Sequence, residues 1–217
     1  MDAKTNETYR SRYWYDYATW AETYDDNVKG HMHYRGHVMV AEKIAPFMHA
    51  SASRRLADLG TGTGLVLHLL RHDFPNAVLD GYDFSPAMLD KCRAKNLADS
   101  LTECDLTERH WPIRKESVDF VTSAGLLDMI RNTGDFLCNV RDILKPGGVA
   151  ALTYETRVIQ KKGFLIAPSN EARSPEEMET LSGNAGFNIV NHENFLGYVS
   201  QGQRFIYGIV TLYKPAP

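Results

Sequence analysis

The sequence predicts an α/β protein in which helices cover both faces of a doubly wound, mostly parallel β-sheet. Short apolar runs typical of buried strands alternate with segments of helical periodicity until the last two strands, which a turn at 201–203 joins as a hairpin. The first strand also leads directly into a glycine turn and a helix start. That arrangement points backbone N–H groups at a ligand.

The glycine turn lies in the run from Leu56 to Leu65, which reads LADLGTGTGL. Glycine suits positions that need a positive φ or a ligand close to the backbone, and Gly60, Gly62 and Gly64 alternate here with threonine. The spacing departs from the dinucleotide fingerprint G-x-G-x-x-G, because the third glycine comes one residue early. Taken alone, the turn fits either a ligand-binding loop or a tight strand-to-helix turn that binds nothing.

An acid, Asp83, ends the second predicted strand, which runs from Val78 to Tyr82. It follows the glycine turn by roughly 20 residues, where open α/β sheets hold the ribose of a nucleoside. A carboxylate can accept hydrogen bonds from both ribose hydroxyls, so we expect Asp83 to bind a ribose rather than only to end a strand. Ser85 and Pro86 then predict the N-cap and the first residue of a helix.

The remaining elements continue the alternation. Further strands are predicted at 101–104, 117–123 and 149–154, from Phe187, and at 204–213. Further helices are predicted at 38–47, ending near Pro46, at 136–144, and from the capping-box pattern of Ser174 and Glu177 to Gly186. The segment 157–173 is predicted to be a loop that could border the site.

Aromatic residues crowd the N-terminal segment, and Tyr13, Tyr17, Trp20 and Tyr24 fall at helical spacing. We expect an amphipathic helix whose rings pack on the main domain. A lid that lines a pocket for an organic substrate is the functional alternative. Residues 1–8 are predicted to be a disordered lead.

Three histidines follow, at His31, His33 and His37, and the last two could share one helix face. No glutamate between them and no third ligand completes a zinc pattern, so no metal site is predicted. Two interpretations are left open: solvated or packing histidines, or one proton acceptor near a substrate.

Composition narrows the class of protein. A chain of 217 residues suits one domain, and a net charge of −3 gives no broad basic surface for nucleic acid. No apolar run reaches the roughly 20 residues needed to cross a bilayer. The three cysteines are widely spaced and fit neither a disulfide framework nor a zinc site. With a polar N-terminus, they favour a cytoplasmic location.

Five motifs in order resemble those of class I S-adenosylmethionine (SAM)-dependent methyltransferases. They read LADLGTGTG from Leu56, YDFSPAM from Tyr82, CDL from Cys104, VDFV from Val118 and LKPGG from Leu144. The second is typical of the branch that acts on small molecules, which includes quinone and biotin-pathway enzymes. The segment WAETYD, ending at Asp25, and the pair Tyr34-Arg35 resemble the N-terminal pattern of that branch.

The resemblance spans roughly residues 20 to 214 and includes the methyltransferase-like proteins of the Williams–Beuren region. It implies a seven-stranded sheet with an antiparallel last strand, preceded by an N-terminal helical lid. The expected domain is a single one over 1–217, with the lid at 9–50 and a Rossmann-like core at 51–217.

The resemblance also implies a role for each matching residue. The residues that would flank the methionine portion of SAM are Gly60, Thr61, Gly62 and Gly64. Asp58 would support this loop, and Ala124 would lie near the sulfonium. Tyr24 and Arg35 are candidates for binding the carboxylate of the cofactor.

For the adenosine portion, Asp83 would bind the ribose hydroxyls, and Phe84 and Met88 would pack on adenine. In the Cys104-Asp105-Leu106 motif, the acid would accept a hydrogen bond from the adenine amine. The Leu106 amide would face a ring nitrogen of adenine.

One departure from the family leaves the catalytic residue unassigned. Many small-molecule members carry histidine after the fourth strand, whereas Leu127 is followed here by Asp128. A base is needed only if the acceptor must lose a proton, and His33, His37 and Tyr154 are the open candidates.

The expected function is transfer of a methyl group from SAM, which becomes S-adenosylhomocysteine (SAH), to a small or medium organic acceptor. One alternative is a protein that binds SAM or SAH without turnover. Another is a nucleotide-dependent oxidoreductase, against which the shifted third glycine argues. The acceptor atom and the oligomeric state are not predicted.

Overall fold

A computed structural model describes residues 17–52, 54–157, 171–200 and 203–216. Its helices are a π-helical turn at Asp26–His31, α1 (Gly36–Ala50), α2 (Leu65–Asp73), α3 (Pro86–Ala94), a 3-10 turn at Leu127–Met129, α4 (Thr133–Ile143) and α5 (Pro175–Asn184). Its strands are β1 (Arg55–Leu59), β2 (Val78–Asp83), β3 (Ser100–Glu103), β4 (Val118–Ser123), β5 (Leu144–Glu155), β6 (Asn188–Ser200) and β7 (Gln203–Tyr213). The predicted alternation of strands and helices is confirmed.

The strands form one seven-stranded sheet in the order β3-β2-β1-β4-β5-β7-β6. Only β7 runs against the others: it pairs antiparallel with both β5 and β6, whereas the remaining neighbours pair in parallel. The predicted fold class is therefore confirmed. The strand order reverses between β1 and β4, which places a crevice at their carboxyl ends.

Apolar residues cover both faces of the sheet, as a doubly wound fold requires. On one face, α1 and α2 bury Val40, Ile44 and Leu67 together with Cys92 of α3. On the other face, the buried residues of α4 and α5 include Phe136, Leu137, Val140 and Met178. The two layers fix the ends of the strands, and hence the position of the loops that follow them.

The N-terminal segment (residues 17–34) is not one continuous amphipathic helix. A helical turn at 17–20 is separated by a turn at 21–23 from the helical residues that begin at Tyr24. The chain then takes a π-helical turn, and Val28 packs inward. The predictions for 1–8 and for Tyr13 lie outside the described residues, as does most of the predicted loop at 157–173.

Two predicted boundaries were wrong. Helix α1 continues past Pro46 to Ala50, since Pro46 is exposed while Met48 beyond it is fully buried against the sheet. Strand β5 begins at Leu144, five residues earlier than predicted, because Gly147 and Gly148 exchange backbone hydrogen bonds of 2.9 Å with Lys214. Both differences arise from tertiary contacts that overrule a local helix or strand breaker.

Candidate functional site

Two adjoining cavities lie at the carboxyl ends of β1, β2 and β4, where the strand order reverses. The larger has a volume of about 220 Å³ and extends toward α4. The smaller has a volume of about 30 Å³ and lies beneath the N-terminal segment. Gly60, Phe84, Leu126 and Met129 line both cavities, so the two are parts of one site.

Most of the predicted site residues meet at these cavities. The smaller cavity is lined by Tyr24, Gly60, Gly62, Asp83, Phe84, Met88 and Ala124. The larger cavity is lined by Gly60, Phe84, Cys104, Asp105 and Leu106. Four predicted residues line neither cavity, namely Arg35, Asp58, Thr61 and Gly64.

The glycine turn has the backbone that its sequence predicts. Gly60, Gly62 and Gly64 take φ values of 71°, 53° and 84°, a region that favours glycine. The N–H groups of Gly60 and Thr61 both donate to the Tyr82 carbonyl, at 2.8 and 3.0 Å, which ties the turn to β2. A Cβ at Gly62 would meet no described atom within 4 Å, so no side chain covers the backbone there.

Asp58 supports this turn from below. Its carboxylate is buried and accepts hydrogen bonds from the hydroxyls of Thr61, at 2.7 Å, and Thr122, at 2.8 Å. Burial raises the pKa of Asp58 to about 7, although the two hydroxyls oppose that rise. The side chain faces the interior, so its contribution to the site is to fix the turn.

Asp83 joins the glycine turn to the start of α3. Its Oδ2 accepts a hydrogen bond from the Gly62 N–H at 2.8 Å, and its Oδ1 accepts one from the Ser85 N–H at 2.9 Å. Burial raises the pKa of Asp83 to about 6, against these backbone hydrogen bonds. The Phe84 backbone also interacts with this carboxylate, so of its about four acceptor positions one is left for a ligand hydroxyl.

The larger cavity has apolar walls and a polar rim. Leu126, Ile130 and Phe136 contribute the apolar surface, and Asp105 lies at the edge. Asp105 Oδ1 accepts hydrogen bonds from the N–H and the hydroxyl of Thr107, at 2.9 and 2.6 Å. A flat heteroaromatic ring with a polar margin suits such a cavity.

The N-terminal segment closes the smaller cavity. Tyr17 packs edge-to-face on Phe84 with a ring separation of 5.7 Å, and Trp20 packs on Tyr24 at 4.8 Å. Burial, together with the nearby charge of Asp83, raises the pKa of Tyr24 well above its usual value. Tyr24 is therefore a neutral phenol beside the glycine turn.

Arg35, the other candidate for the carboxylate of the cofactor, lies apart from the cavities. It precedes α1, its side chain is exposed, and its N–H donates to the Gly197 carbonyl at 2.9 Å. The structure thus brings Tyr24, and not Arg35, to the cavity wall.

The three candidate bases also lie outside the lining of the two cavities. His33 is exposed and has a φ of 51°. His37 is half-buried: burial lowers its pKa to about 4, and its Nδ1 has no hydrogen-bond partner among the described residues. The Tyr154 hydroxyl lies 2.6 Å from His192 Nε2, on the face of the sheet covered by α5.

Asp128 follows Leu127 where many relatives in the resembled family carry histidine, and it is a partly buried acid in the turn after β4. One oxygen accepts the Glu155 N–H at 2.9 Å, and the other accepts the Tyr207 hydroxyl. Burial raises the pKa of Asp128 to about 6. No local pattern could have revealed this pair, because the two residues are 79 positions apart.

Tyr34 connects this acid to the cavity. Its ring packs edge-to-face on Tyr207 at 5.9 Å, and its hydroxyl would lie 3.0 Å from a Cβ placed on Gly125, which lines the smaller cavity. That hydroxyl is buried and has no hydrogen-bond partner of good geometry among the described residues, although the Thr153 side chain lies near enough to oppose the rise in the pKa of Tyr34 that burial causes. Buried polar groups of this kind are candidates for contact with a ligand.

Over the described ranges, no group of three or more His, Cys, Asp or Glu side chains is arranged to hold a metal ion. Nor does any helix within those ranges combine the length and apolar character that crossing a bilayer requires.

The topology and the divided cavity define an α/β protein of the nucleotide- or nucleoside-binding class. Residues 57–150 match the family model described as a methyltransferase domain. Human methyltransferase-like protein 27 is 31% identical over 64% of this chain and 56% of its own length. The malonyl-[acyl-carrier protein] O-methyltransferase of Hahella chejuensis is 28% identical over 50% of this chain and 39% of its own length. The chain thus spans about half the length of these curated relatives.

Solved structures agree on the fold. A chain from the complex that contains the Haloferax volcanii Trm112 methyltransferase activator superposes with a TM-score of 0.71 and 18% identity, over 94% of this chain and 98% of that one. The fold is therefore shared with solved methyltransferases, and residues 57–150 match a methyltransferase domain. The resemblance read from the five sequence motifs is confirmed.

Proposed function

We propose that this protein transfers a methyl group from SAM to a small or medium organic acceptor. The observation that carries the proposal is the divided cavity. Its larger part is a cleft with apolar walls, and its smaller part lies at the carboxyl end of β4. Asp83 and the glycine turn lie between the two. An adenosine with an amino-acid tail requires this sequence of environments: a ring slot, a carboxylate for the ribose, and glycine backbone for the tail.

The described residues fit the cofactor. The adenine slot is the larger cavity, with Phe84 and Leu106 on its walls and Asp105 at its edge. Asp83 has an acceptor position for a ribose hydroxyl, and the Gly62 backbone, which no described side chain covers, would face the tail. When bound, SAM supplies a methyl group activated by its sulfonium.

The acceptor is proposed to lie beside Gly125, near Tyr34. Support comes from the wall that the N-terminal segment builds over the site, since Tyr17 and Tyr24 enclose it with their rings. An enclosed site excludes water and aligns the reactants, which is the main requirement for methyl transfer. The relative that methylates malonyl-[acyl-carrier protein] supports an acyl or carboxylate group as one acceptor class to test.

Asp128 lies outside the lining of both cavities, so we propose that it acts on the acceptor side through Tyr207 and Tyr34 and not as a base in contact with the acceptor. Its raised pKa, about 6, leaves it ionised at neutral pH. Tyr207 donates a hydrogen bond to Asp128 and packs against Tyr34, so these side chains link the acid to the wall of the cavity.

A cytoplasmic location is part of the proposal. All three cysteines are free thiols, two buried and one exposed, which suits a reducing compartment.

The test is calorimetric titration with SAM, SAH and NAD in parallel, followed by transfer of labelled methyl to a panel of carboxylates, hydroxyls and amines. We expect micromolar binding of SAM and SAH, no binding of NAD, and label in one acceptor class. Binding of NAD alone would refute the proposed function in favour of an oxidoreductase.

A binding protein without turnover is the second candidate. It is favoured by one observation: none of the three histidine or tyrosine bases weighed from the sequence lines the cavities. Tight binding of SAH, together with no labelled product across the panel, would support this candidate.

A further inference from the structure

The N-terminal segment is tied to the glycine turn by one acid. Asp25 Oδ1 accepts a hydrogen bond from the Thr63 hydroxyl at 2.5 Å, and Asp25 Oδ2 forms an ion pair with Lys95 at 2.6 Å. The Lys95 ammonium also donates to the Thr63 carbonyl, at 2.8 Å. We name these three residues, Asp25, Thr63 and Lys95, the latch.

A second ion pair lies on the same side. Glu22 Oε2 is 2.5 Å from the ammonium of Lys91, which precedes Lys95 by one helical turn. The latch is the more enclosed pair: the side chains of Lys95 and Asp25 are 32% and 31% exposed, whereas Glu22 is 76% exposed. Burial acts to raise the pKa of Asp25, but the hydrogen bonds from Lys95 and Thr63 outweigh it and lower the value.

The latch holds Tyr24 over the part of the site where the proposed cofactor tail belongs. Asp25 directly follows Tyr24, whose ring helps reduce the smaller cavity to about 30 Å³. That volume holds only a few water molecules, far less than a ribose with an amino-acid tail. With the latch formed, the smaller cavity therefore encloses too little room for that portion of a nucleoside ligand, although the Gly62 backbone on its wall is uncovered.

We propose that Asp25 is a positioning residue that latches the N-terminal segment onto the glycine turn, and that SAM and SAH enter and leave only when this latch opens. The inference rests on the proposed function, because it takes these two compounds as the ligands. Lids that must open for exchange commonly limit turnover through product release.

A latch predicts an unusual kinetic signature. Weakening it raises the open fraction of the ligand-free protein, so association becomes faster. It also lowers the barrier to release, so dissociation becomes faster as well. A variant that merely damaged the site would bind more slowly or release faster, but it would not accelerate both steps.

The experiment uses stopped-flow mixing of the full chain with SAH, in which binding is followed by tryptophan fluorescence, including that of Trp20, and a chase with excess SAM to measure release. Asp25→Asn and Lys95→Met each remove one partner of the ion pair, and Lys95→Arg preserves the charge. Asp90→Asn is the matched control, because Asp90 also forms an ion pair on α3, but with Arg93 of the same helix, and both side chains are well exposed, at 71% and 60%.

We expect Asp25→Asn and Lys95→Met to speed both association and dissociation by roughly three- to tenfold, the range of a partly exposed ion pair with one additional hydrogen bond. Lys95→Arg and Asp90→Asn should keep wild-type rates. Higher salt should accelerate exchange in the wild type and have little effect in Asp25→Asn.

If Asp25→Asn and Lys95→Met bind and release SAH at the wild-type rates, the latch is refuted while the proposed function stands. Faster release with slower association would also refute the latch, since it would indicate damage to the site. If the wild type binds neither SAH nor SAM, the proposed function fails and this inference fails with it.

Discussion

The replacement Asp83→Asn tests the centre of the proposed site. It keeps the size of the side chain but exchanges one carboxylate oxygen for an amide nitrogen and removes the charge. In the wild type, the two oxygens accept N–H groups from Gly62 and Ser85 at 2.8 and 2.9 Å. Whichever way the amide turns, its NH₂ faces a backbone donor and offers no acceptor to one ribose hydroxyl.

The magnitude follows from these contacts. A hydrogen bond to a charged group contributes about 1.5–3 kcal/mol, so its loss should weaken SAH binding by roughly 10- to 150-fold. One buried backbone N–H is also left without an acceptor, at a cost to folding of about 1–3 kcal/mol. For a chain of this size, that corresponds to a fall in melting temperature of roughly 3–10 °C.

The assay is calorimetric titration with SAH, together with thermal unfolding of the ligand-free protein. Asp80→Asn is the matched control, because Asp80 is also a buried acid of β2 but binds the Ser100 hydroxyl, at 2.5 Å, and Arg55, at 2.8 Å. We expect the control to lower stability and leave the affinity for SAH unchanged. If Asp83→Asn lowers the melting temperature but changes the dissociation constant less than twofold, Asp83 does not bind the ribose.

Three further predictions concern pH and packing. The pKa of Asp83 is raised to about 6, and the ionised form binds the ribose, so SAH affinity should fall up to roughly tenfold per pH unit below pH 6, measured by calorimetry. Gly64→Ala should lower the free energy of unfolding in urea by about 1–3 kcal/mol, because φ is +84° and the new Cβ would lie 2.6 Å from the Cys92 sulfur. Tyr207→Phe should lower the free energy of unfolding by about 1–3 kcal/mol at pH 8. The loss should be smaller at pH 5, because Asp128 is then protonated and the hydrogen bond from the Tyr207 hydroxyl stabilises it less.

The sign of the Asp128 effect follows from its raised pKa. Between its unfolded pKa near 4 and its folded pKa of about 6, the folded state binds more protons, so the stability contributed by Asp128 falls as pH rises through that window. Removal of the Tyr207 hydroxyl should raise the pKa of Asp128 in the folded state further, and so widen the pH range over which this stability is lost. A urea series from pH 4.5 to 8 in which wild type and variant run parallel would contradict this account.

The fold and the cofactor side of the site could be predicted from the sequence because their signals are local. The glycine turn, the acid at the end of β2 and the cap at Ser85 each depend on residues within a few positions of one another, and a mostly parallel sheet follows from the alternation. The structure reproduces these features, including the Ser85 side chain that accepts the Met88 N–H at the start of α3. Errors occurred where a local signal was overruled, as at Pro46, which α1 passes because Met48 is buried beyond it.

The N-terminal segment was harder to predict for a related reason. Helical spacing of Tyr17, Trp20 and Tyr24 correctly indicated rings on one side, yet the chain turns at 21–23. The break lets Tyr24 reach the smaller cavity and Asp25 reach Thr63, contacts whose partners lie dozens of positions away. Periodicity records which residues face inward but not where a helix must be interrupted to reach a distant partner.

The cofactor side and the acceptor side of the proposed site differ in the same way, because one is built from local sequence motifs and the other from residues that are distant in sequence. Cofactor contacts come from motifs at strand ends, which a common fold can present to a common ligand. The proposed acceptor side comes from Tyr34, Asp128 and Tyr207, which meet only through tertiary packing. Its chemistry can therefore change without altering the cofactor motifs, so a family match confined to 57–150 says more about the proposed cofactor than about the acceptor. An acceptor search should accordingly compare Tyr34→Phe with the wild type: selective loss of methyl transfer, with SAH affinity retained, would place the acceptor beside that hydroxyl.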